Sequence, residues 1–335
     1  MDSVAQLRLT RQLIDIDSTT GREGEVAGAL ATALRELGWR VTEQPLDDGR
    51  GGRFNVLATI GDPALVFSTH FDCVPPFFPS RESGGLIYGR GACDAKGILV
   101  SQIAAAERFH TRGDTRVGLL FVAGEERGSD GAKAANALAT TSRYLVNGEP
   151  TDNRLGLATR GAYRVRLKAH GRAAHSSLPE LGISAIDKLI DALVIARQAE
   201  WPSDPVLGET FYTVGLIKGG VAPNVISPDA EAELMFRTVG STEELRAVLD
   251  RDLRDLVSIE EILIVPPVRL TTVPGLDTAV FSFTTDIPFL DRWGAPLLMG
   301  PGSVNVAHTS EEHVAIGELH QAVDLYERIA LRLLG

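Results

Sequence analysis

Polar side chains stand just past several short apolar runs, where a strand would hand over to a loop. ALVFST (64–69) leads into His70 and Asp72, GLLFVA (118–123) leads through Gly124 into Glu125 and Glu126, and RYLVNG (143–148) leads into Glu149. YGRGACDAKG offers Asp94 ahead of a helical stretch, and GPGSVNVAHTSEEH offers His308 after the run ending at Met299. In open α/β sheets ligands collect beyond the carboxyl ends of the strands, so these loops predict imidazoles and carboxylates on one rim. Carboxylates crowded together raise one another's pKa unless cations neutralise them. Imidazole and carboxylate without thiolate suit zinc, cobalt or manganese in a catalytic site that keeps a position open for water. Two such ions about 3.5–4 Å apart can share a water and lower its pKa toward about 7, and a spare carboxylate beside it can take the proton.

Each piece has a blander reading. A His-x-Asp pair at a strand end is commonly structural, and a Glu-Glu dipeptide is commonly a solvated loop; it is their placement at successive strand ends that points to chemistry. The glycine-rich GRGACDAKG matches neither GxGxxG nor the Walker pattern and carries an acid inside the loop, which argues against a nucleotide site. Cys73 and Cys93 each neighbour a candidate acid, in FDCV and ACDA. They read as small buried hydrophobes that could make the site sensitive to oxidation.

The elements that must position these residues follow from periodicity. Val26, Leu30, Leu34 and Leu37 recur at helical spacing before Gly38, so residues 23–37 form a helix packed on one face. Strands at 64–69, 118–123 and 143–148 alternate with helices at 97–110 and 129–139, a pattern that predicts a mostly parallel sheet with helices on both faces. After Thr159 the texture changes. Tyr163, Val165, Leu167 and Ala169 alternate with Arg164, Arg166, Lys168 and His170, the period of a strand with one wet face. A helix (182–199), strands at 211–218 and 230–238, a helix (242–256) and a strand (260–266) complete an inserted α+β unit. A short strand at 296–299 and a final helix at 316–334 return the chain to the first domain.

Length and composition agree with this reading. A chain of 335 residues exceeds one ordinary core and predicts two structural units. The formal charge of −11 disfavours nucleic acid as a partner. Two cysteines cannot build a disulfide framework, no stretch nears the roughly 18 apolar residues of a membrane span, and MDSVAQLRLTRQ lacks a basic segment followed by an apolar run; the expectation is a cytoplasmic protein.

The motifs STHFDCVPP, YGRGACDAKG, AGEERGSDGA, NGEPT, AHGRAAHSS, GGVAPNVI and GPGSVNVAHTSEEHV together resemble, in order, those of the dinuclear zinc amidohydrolases that include acetylornithine deacetylase, succinyl-diaminopimelate desuccinylase, aminoacylase and glutamate carboxypeptidases. The resemblance implies a zinc-peptidase-like catalytic domain from residues 1–159 and 269–335 and an inserted, ferredoxin-like lid or dimerisation domain from 160–268. It implies two divalent ions, zinc foremost with cobalt or manganese as alternatives: His70 and Glu149 on one, Glu126 and His308 on the other, and Asp94 bridging. Glu125 becomes the general base and Asp72 the partner that orients His70. His313 is the rival to His308, and its spacing assigns it instead to the following surface segment. His175 corresponds to a histidine that enters the site from a partner subunit and stabilises the oxyanion. Asn224, Arg237, Gly302 and Ser303 correspond to residues that hold the substrate's carboxylate, although Arg237 could instead pair with Glu231 or Glu233. The NGEPT and GPGSVNVAHTSEEHV segments look most like acetylornithine or acetylcitrulline deacetylases. An N-acyl amino acid therefore leads as substrate, with succinyl-diaminopimelate and dipeptides next and a homodimer implied. A family member that binds metal or amino acid without turnover is the other class; every expected position here is filled, which argues against it.

Overall fold

The structure is a computed structural model and describes residues 1–46, 49 and 52–335. It divides into two compact units, one of Met1–Leu157, Leu270–Ala279 and Thr285–Gly335, the other of Ala158–Arg269 and Val280–Thr284. The single return expected at residue 269 is thus two, because Val280–Thr284 goes back to the second unit.

In chain order, the first unit contains α1 (Ser3–Ile14), α2 (Gly24–Glu36), β1 (Arg40–Pro45), β2 (Phe54–Thr59), β3 (Leu65–His70), α3 (Gly97–Thr111), β4 (Val117–Val122), α4 (Asp130–Ala135) and β5 (Tyr144–Asn147). The second contains β6 (Gly161–His170), α5 (Ala185–Gln198), β7 (Phe211–Gly219), β8 (Asp229–Thr238), α6 (Thr242–Leu253) and β9 (Ser258–Val265). The first unit closes with β10 (Ala295–Leu298) and α7 (Ile316–Leu334).

The first unit's sheet runs β1-β2-β4-β3-β5-β10. β4, β3, β5 and β10 are parallel neighbours, while β1 and β2 add an antiparallel edge that the apolar pattern does not predict. Every residue of β3 and β4 is buried, as expected of central strands covered on both faces. One face packs on Leu30, Leu34, Ile103, Phe109 and Tyr326, the other on Ala132, Leu290 and Trp293. The helix expected over 129–139 stops at Ala135; the Asn136 side chain is engaged by Asp291 and the Arg292 N–H, and Ala137 and Leu138 bond three residues back instead of four.

The second unit is an antiparallel sheet in the order β7-β8-β6-β9 with two helices, the ferredoxin-like βαββαβ arrangement. Val165, Leu167, Leu189, Leu234, Phe236, Leu245 and Leu249 form its core. Arg164, Arg166 and Lys168 lie on the alternate face and pair with Glu233 and Glu260.

Candidate metal centre

Each central strand of the first unit ends in a turn that aims a polar side chain. β3 closes on His70, followed at once by Asp72. β4 passes through Ala123 to Gly124, whose φ of 80° favours glycine, and then into a single turn carrying Glu125 and Glu126. Asp72 holds that turn: its carboxylate accepts from the backbone N–H groups of Gly124 (2.9 Å), Glu125 (3.0 Å) and Glu126 (3.2 Å) and from the Thr20 hydroxyl (2.8 Å). β5 reaches Glu149 through Gly148, where a Cβ would lie 2.3 Å from Ile98 Cγ2; the glycine lets this strand end approach α3. His308, with φ of 65°, sits in the left-handed region that non-glycine residues enter at functional or strained positions.

The turns bring five of the expected side chains into two groups that could hold metal ions, His70–Asp94–Glu149 and Asp94–Glu126–His308, with the candidate ligand atoms of each within 4.8 Å of one another. Asp94 belongs to both. Its Oδ1 is 3.0 Å from His70 Nε2 and its Oδ2 is 3.2 Å from His308 Nε2, while Glu126 Oε1 lies 2.9 Å from the same His308 nitrogen. Glu149 Oε1 is buried without a hydrogen-bond partner among the described residues.

The electrostatics fit cations. Burial, then the charge of Glu149, pushes the Glu125 carboxyl well above its usual range. Burial likewise raises Glu149, with Asp94 adding to it, and raises Glu126. Hydrogen bonds to Asp94 and Glu126 lift His308 to about 10. Burial works against ionised Asp94, but hydrogen bonds from His308 and His70 outweigh it and hold that carboxyl well below normal. Protons on imidazole thus do part of the neutralising that divalent ions would do, and the donor set of imidazole and carboxylate suits such ions.

Several expected roles are modified. His70 Nδ1 has the backbone oxygen of Asp72 at 3.1 Å and the Asp72 carboxylate only at 3.5 Å, so the carboxylate holds the Glu125 turn more closely than it holds His70. The Gly302 N–H donates to Glu318 Oε2 at 3.2 Å and is already engaged, contrary to its expected use on a substrate carboxylate. Ser303 Oγ accepts from Asn305 at 3.2 Å, a bond that does not use its own O–H. His313 opens the strand His313–Ala315, its ring 5.1 Å from that of Tyr88, and belongs to neither group. Cys73 and Cys93 are 2% and 0% exposed; burial pushes the Cys73 thiol to about 11 and Cys93 well upward. Oxidation needs accessible thiolate, so the expected peroxide sensitivity loses its physical basis.

In the second unit His175 and Asn224 are neighbours: His175 forms a β-bridge with Val225, and the Ser176 N–H donates to the Asn224 carbonyl at 3.0 Å. His175 Nδ1 lies 2.7 Å from Ser177 Oγ. Arg237 is at the other end of β8, opposite Ala162 and Phe211. Glu231 and Glu233 lie six and four residues away on the same strand, about 20 and 13 Å at the rise of a strand, which is why the alternative pairing with either does not occur. Those acids pair with Lys218, Arg164 and Arg166.

Three features of the first unit escaped the sequence reading. Asp286 is 1% exposed, with neither carboxylate oxygen hydrogen-bonded to a described residue. Arg53 and Glu23 form a buried ion pair behind Gly124, and Glu312 with Arg90 forms another beside Asp94. Their only sequence signal is an ionisable residue amid motif residues, which does not separate them from solvated neighbours such as Glu311.

Residues 66–332 match the peptidase family M20/M25/M40. A peptidase M20 domain-containing protein of Schizosaccharomyces pombe is 35% identical over 97% of this chain and 84% of its own length. A probable carboxypeptidase of Aspergillus fumigatus is 31% identical over 96% and 85%. Among solved structures, the aminopeptidase PepT of Bacillus cereus superimposes with a TM-score of 0.83 over 100% of both chains at 19% identity, a likeness of fold. The chain belongs to the M20 peptidase family, as hydrolases of amide or peptide bonds that depend on metal.

Proposed function

We propose that the chain hydrolyses the amide bond on the amino side of an amino acid with a free α-carboxylate, as a carboxypeptidase, a dipeptidase or an N-acyl amino acid deacylase. The observation that carries this reading is Asp94, which presents one oxygen to each of two histidines at the junction of two acid-rich groups. His70, Asp94 and Glu149 would hold one divalent ion and Asp94, Glu126 and His308 a second, with zinc the first choice and cobalt or manganese alternatives. When bound, such ions supply Lewis acidity toward a carbonyl and lower the pKa of a shared water. Glu125 takes the proton of the attacking water and returns it to the departing amine. Asp72 holds the turn that aims Glu125.

Substrate recognition falls to Arg237, Asn224 and Ser303. A guanidinium with no carboxylate across its ladder suits a substrate carboxylate. The motif resemblance favours acetylornithine- or acetylcitrulline-type substrates, whereas the carboxypeptidase relatives favour a C-terminal residue of a short peptide. We place peptides first because those relatives align over nearly the whole chain.

A homodimer through the inserted unit supports the roles of both His175 and Arg237. From Asp229 to Arg237 is eight steps along β8, about 26 Å at the rise of a strand, and His175 lies beyond the Asp229 end. One copy therefore cannot offer both residues to one small substrate, and two copies can. β7 is an edge strand with Leu216 and Ile217 each 61% exposed, and α5 exposes Ile190 and Val194, a surface suited to a second copy. Two free, buried cysteines suit a reducing compartment, and we place the chain in the cytoplasm; among the described residues no helix is long and apolar enough to cross a membrane.

The test is a panel of dipeptides, tripeptides and N-acetyl and N-succinyl amino acids, assayed with added zinc, cobalt or manganese. Metal-dependent release of a C-terminal amino acid is expected. Tight amino-acid or metal binding without turnover on any member would instead favour the non-catalytic reading.

A further inference from the structure

The two groups of candidate ligands are held in different ways. His70 and Glu149 follow β3 and β5, neighbours in the middle of the sheet, so the ladder sets their separation. The second group has no such support for His308, which lies on a long loop after β10 and comes within 3.2 Å of Asp94, itself on the loop before α3. Something must hold these two loops in register.

Glu312 is the residue that joins them. It lies four positions after His308 and is fully buried. Its Oε1 accepts from the backbone N–H of Gly91 at 2.9 Å and of Asp94 at 3.3 Å, and its backbone oxygen accepts from Gly89 at 3.1 Å. Its other carboxylate oxygen is ion-paired with Arg90, 2% exposed, whose guanidinium also donates to the Pro76 carbonyl at 3.1 Å and reaches the His308 carbonyl at 3.5 Å. One carboxylate and one guanidinium therefore tie residues 89–94 to residues 308–312, and neither side chain belongs to a candidate ligand group.

We propose that Glu312 and Arg90 are positioning residues that set the spacing between Asp94 and His308 and thereby the affinity of the second metal position. This rests on the dinuclear reading above. A carboxylate that accepts two backbone N–H groups and a guanidinium fixes a loop in a way a neutral amide cannot, because charge-assisted bonds are about twice as strong as neutral ones. Residues that orient metal ligands typically change metal affinity by about 10–100-fold when mutated. The first position shares Asp94, but its other two ligands, His70 and Glu149, follow strands that do not depend on this pair, whereas His308 does, so the larger loss should fall on the second.

The experiment titrates metal-free full-length protein with zinc by calorimetry in competition with a chelator, resolving the two binding steps, for wild type, Glu312→Gln and Arg90→Lys. Wild type should bind two equivalents. In each variant the second step should weaken by about 10–100-fold while the first weakens by clearly less. Second-step affinity at the wild-type value, or an equal loss at both steps, overturns the proposal. Arg90→Lys keeps the charge but loses the fork, so it decides the matter if Glu312→Gln does not fold. A wild type that takes up fewer than two equivalents overturns the dinuclear reading itself; a two-equivalent wild type with unchanged variants overturns only the positioning role.

Discussion

The carboxylate of Asp72 receives the backbone N–H of Glu125 at 3.0 Å, so the acid two residues past one candidate ligand is also the anchor of the proposed base. The same carboxylate takes the N–H groups on either side; burial works against its charge, but His70 first, then the Thr20 hydroxyl and the Glu125 N–H, outweigh it and hold its pKa below the usual value.

Replacing Asp72 with asparagine removes the charge that gathers three amides. We expect kcat/KM to fall by about 10–100-fold with the far-ultraviolet circular dichroism unchanged. Activity within twofold of wild type would show that the turn is held by other means.

Glu125→Gln keeps the shape of the side chain and removes its basicity. Turnover should drop by about 10²–10⁴-fold while the metal content of the purified protein, measured by atomic emission, stays at the wild-type level. A variant with substantial turnover would need another base.

Asp286 is not one of the proposed ligands, but its charge is felt by Glu125 and Glu149, and it offers a pH test of the buried acids around them. Burial raises its carboxyl from 3.8 to about 6, so the group favours folding fully below the unfolded value and ever less as pH rises through about 6. Asp286→Asn should therefore raise the melting temperature of the metal-free protein at pH 8, with a gain that shrinks as pH falls from about 6 toward 4. A gain independent of pH, measured by scanning calorimetry, would contradict the assignment.

Arg53 and Glu23 are both essentially inaccessible, with side-chain exposures of 1% and 0% and a bond of 2.8 Å between them. Arg53 also has Asp130 at 3.7 Å, so neutralising Glu23 removes part of the compensation of a buried charge, and Glu23→Gln should cost up to about 3–5 kcal/mol in denaturant unfolding. The double replacement Glu23→Leu with Arg53→Met should cost less than the sum of the single ones. Additive losses would show that the two act independently.

Leu216→Asp with Ile217→Asp places charge on the exposed edge strand. Light scattering should show wild type near twice the 35.9 kDa of one chain and the variant near one chain, with activity falling alongside. A monomeric wild type that is fully active would remove the role of a partner's His175.

The sequence by itself determined the parallel core, the alternating wet strand Gly161–His170 and the candidate ligands, because apolar period and ionisable residues at strand ends are local signals that need no partner to be read. It did not disclose the antiparallel edge of β1 and β2, whose mixed pattern acquires meaning only beside β4. Nor could it separate Glu312 from Glu311, adjacent residues of one type: one is buried against Gly91, Asp94 and Arg90, the other is exposed. Arg237 likewise had two readings in sequence, and only the strand pairing, which gives Glu231 and Glu233 to Lys218, Arg164 and Arg166, removed the ion pair. Pairing, burial and charge compensation depend on residues distant in the chain, and so were decided by the tertiary structure alone.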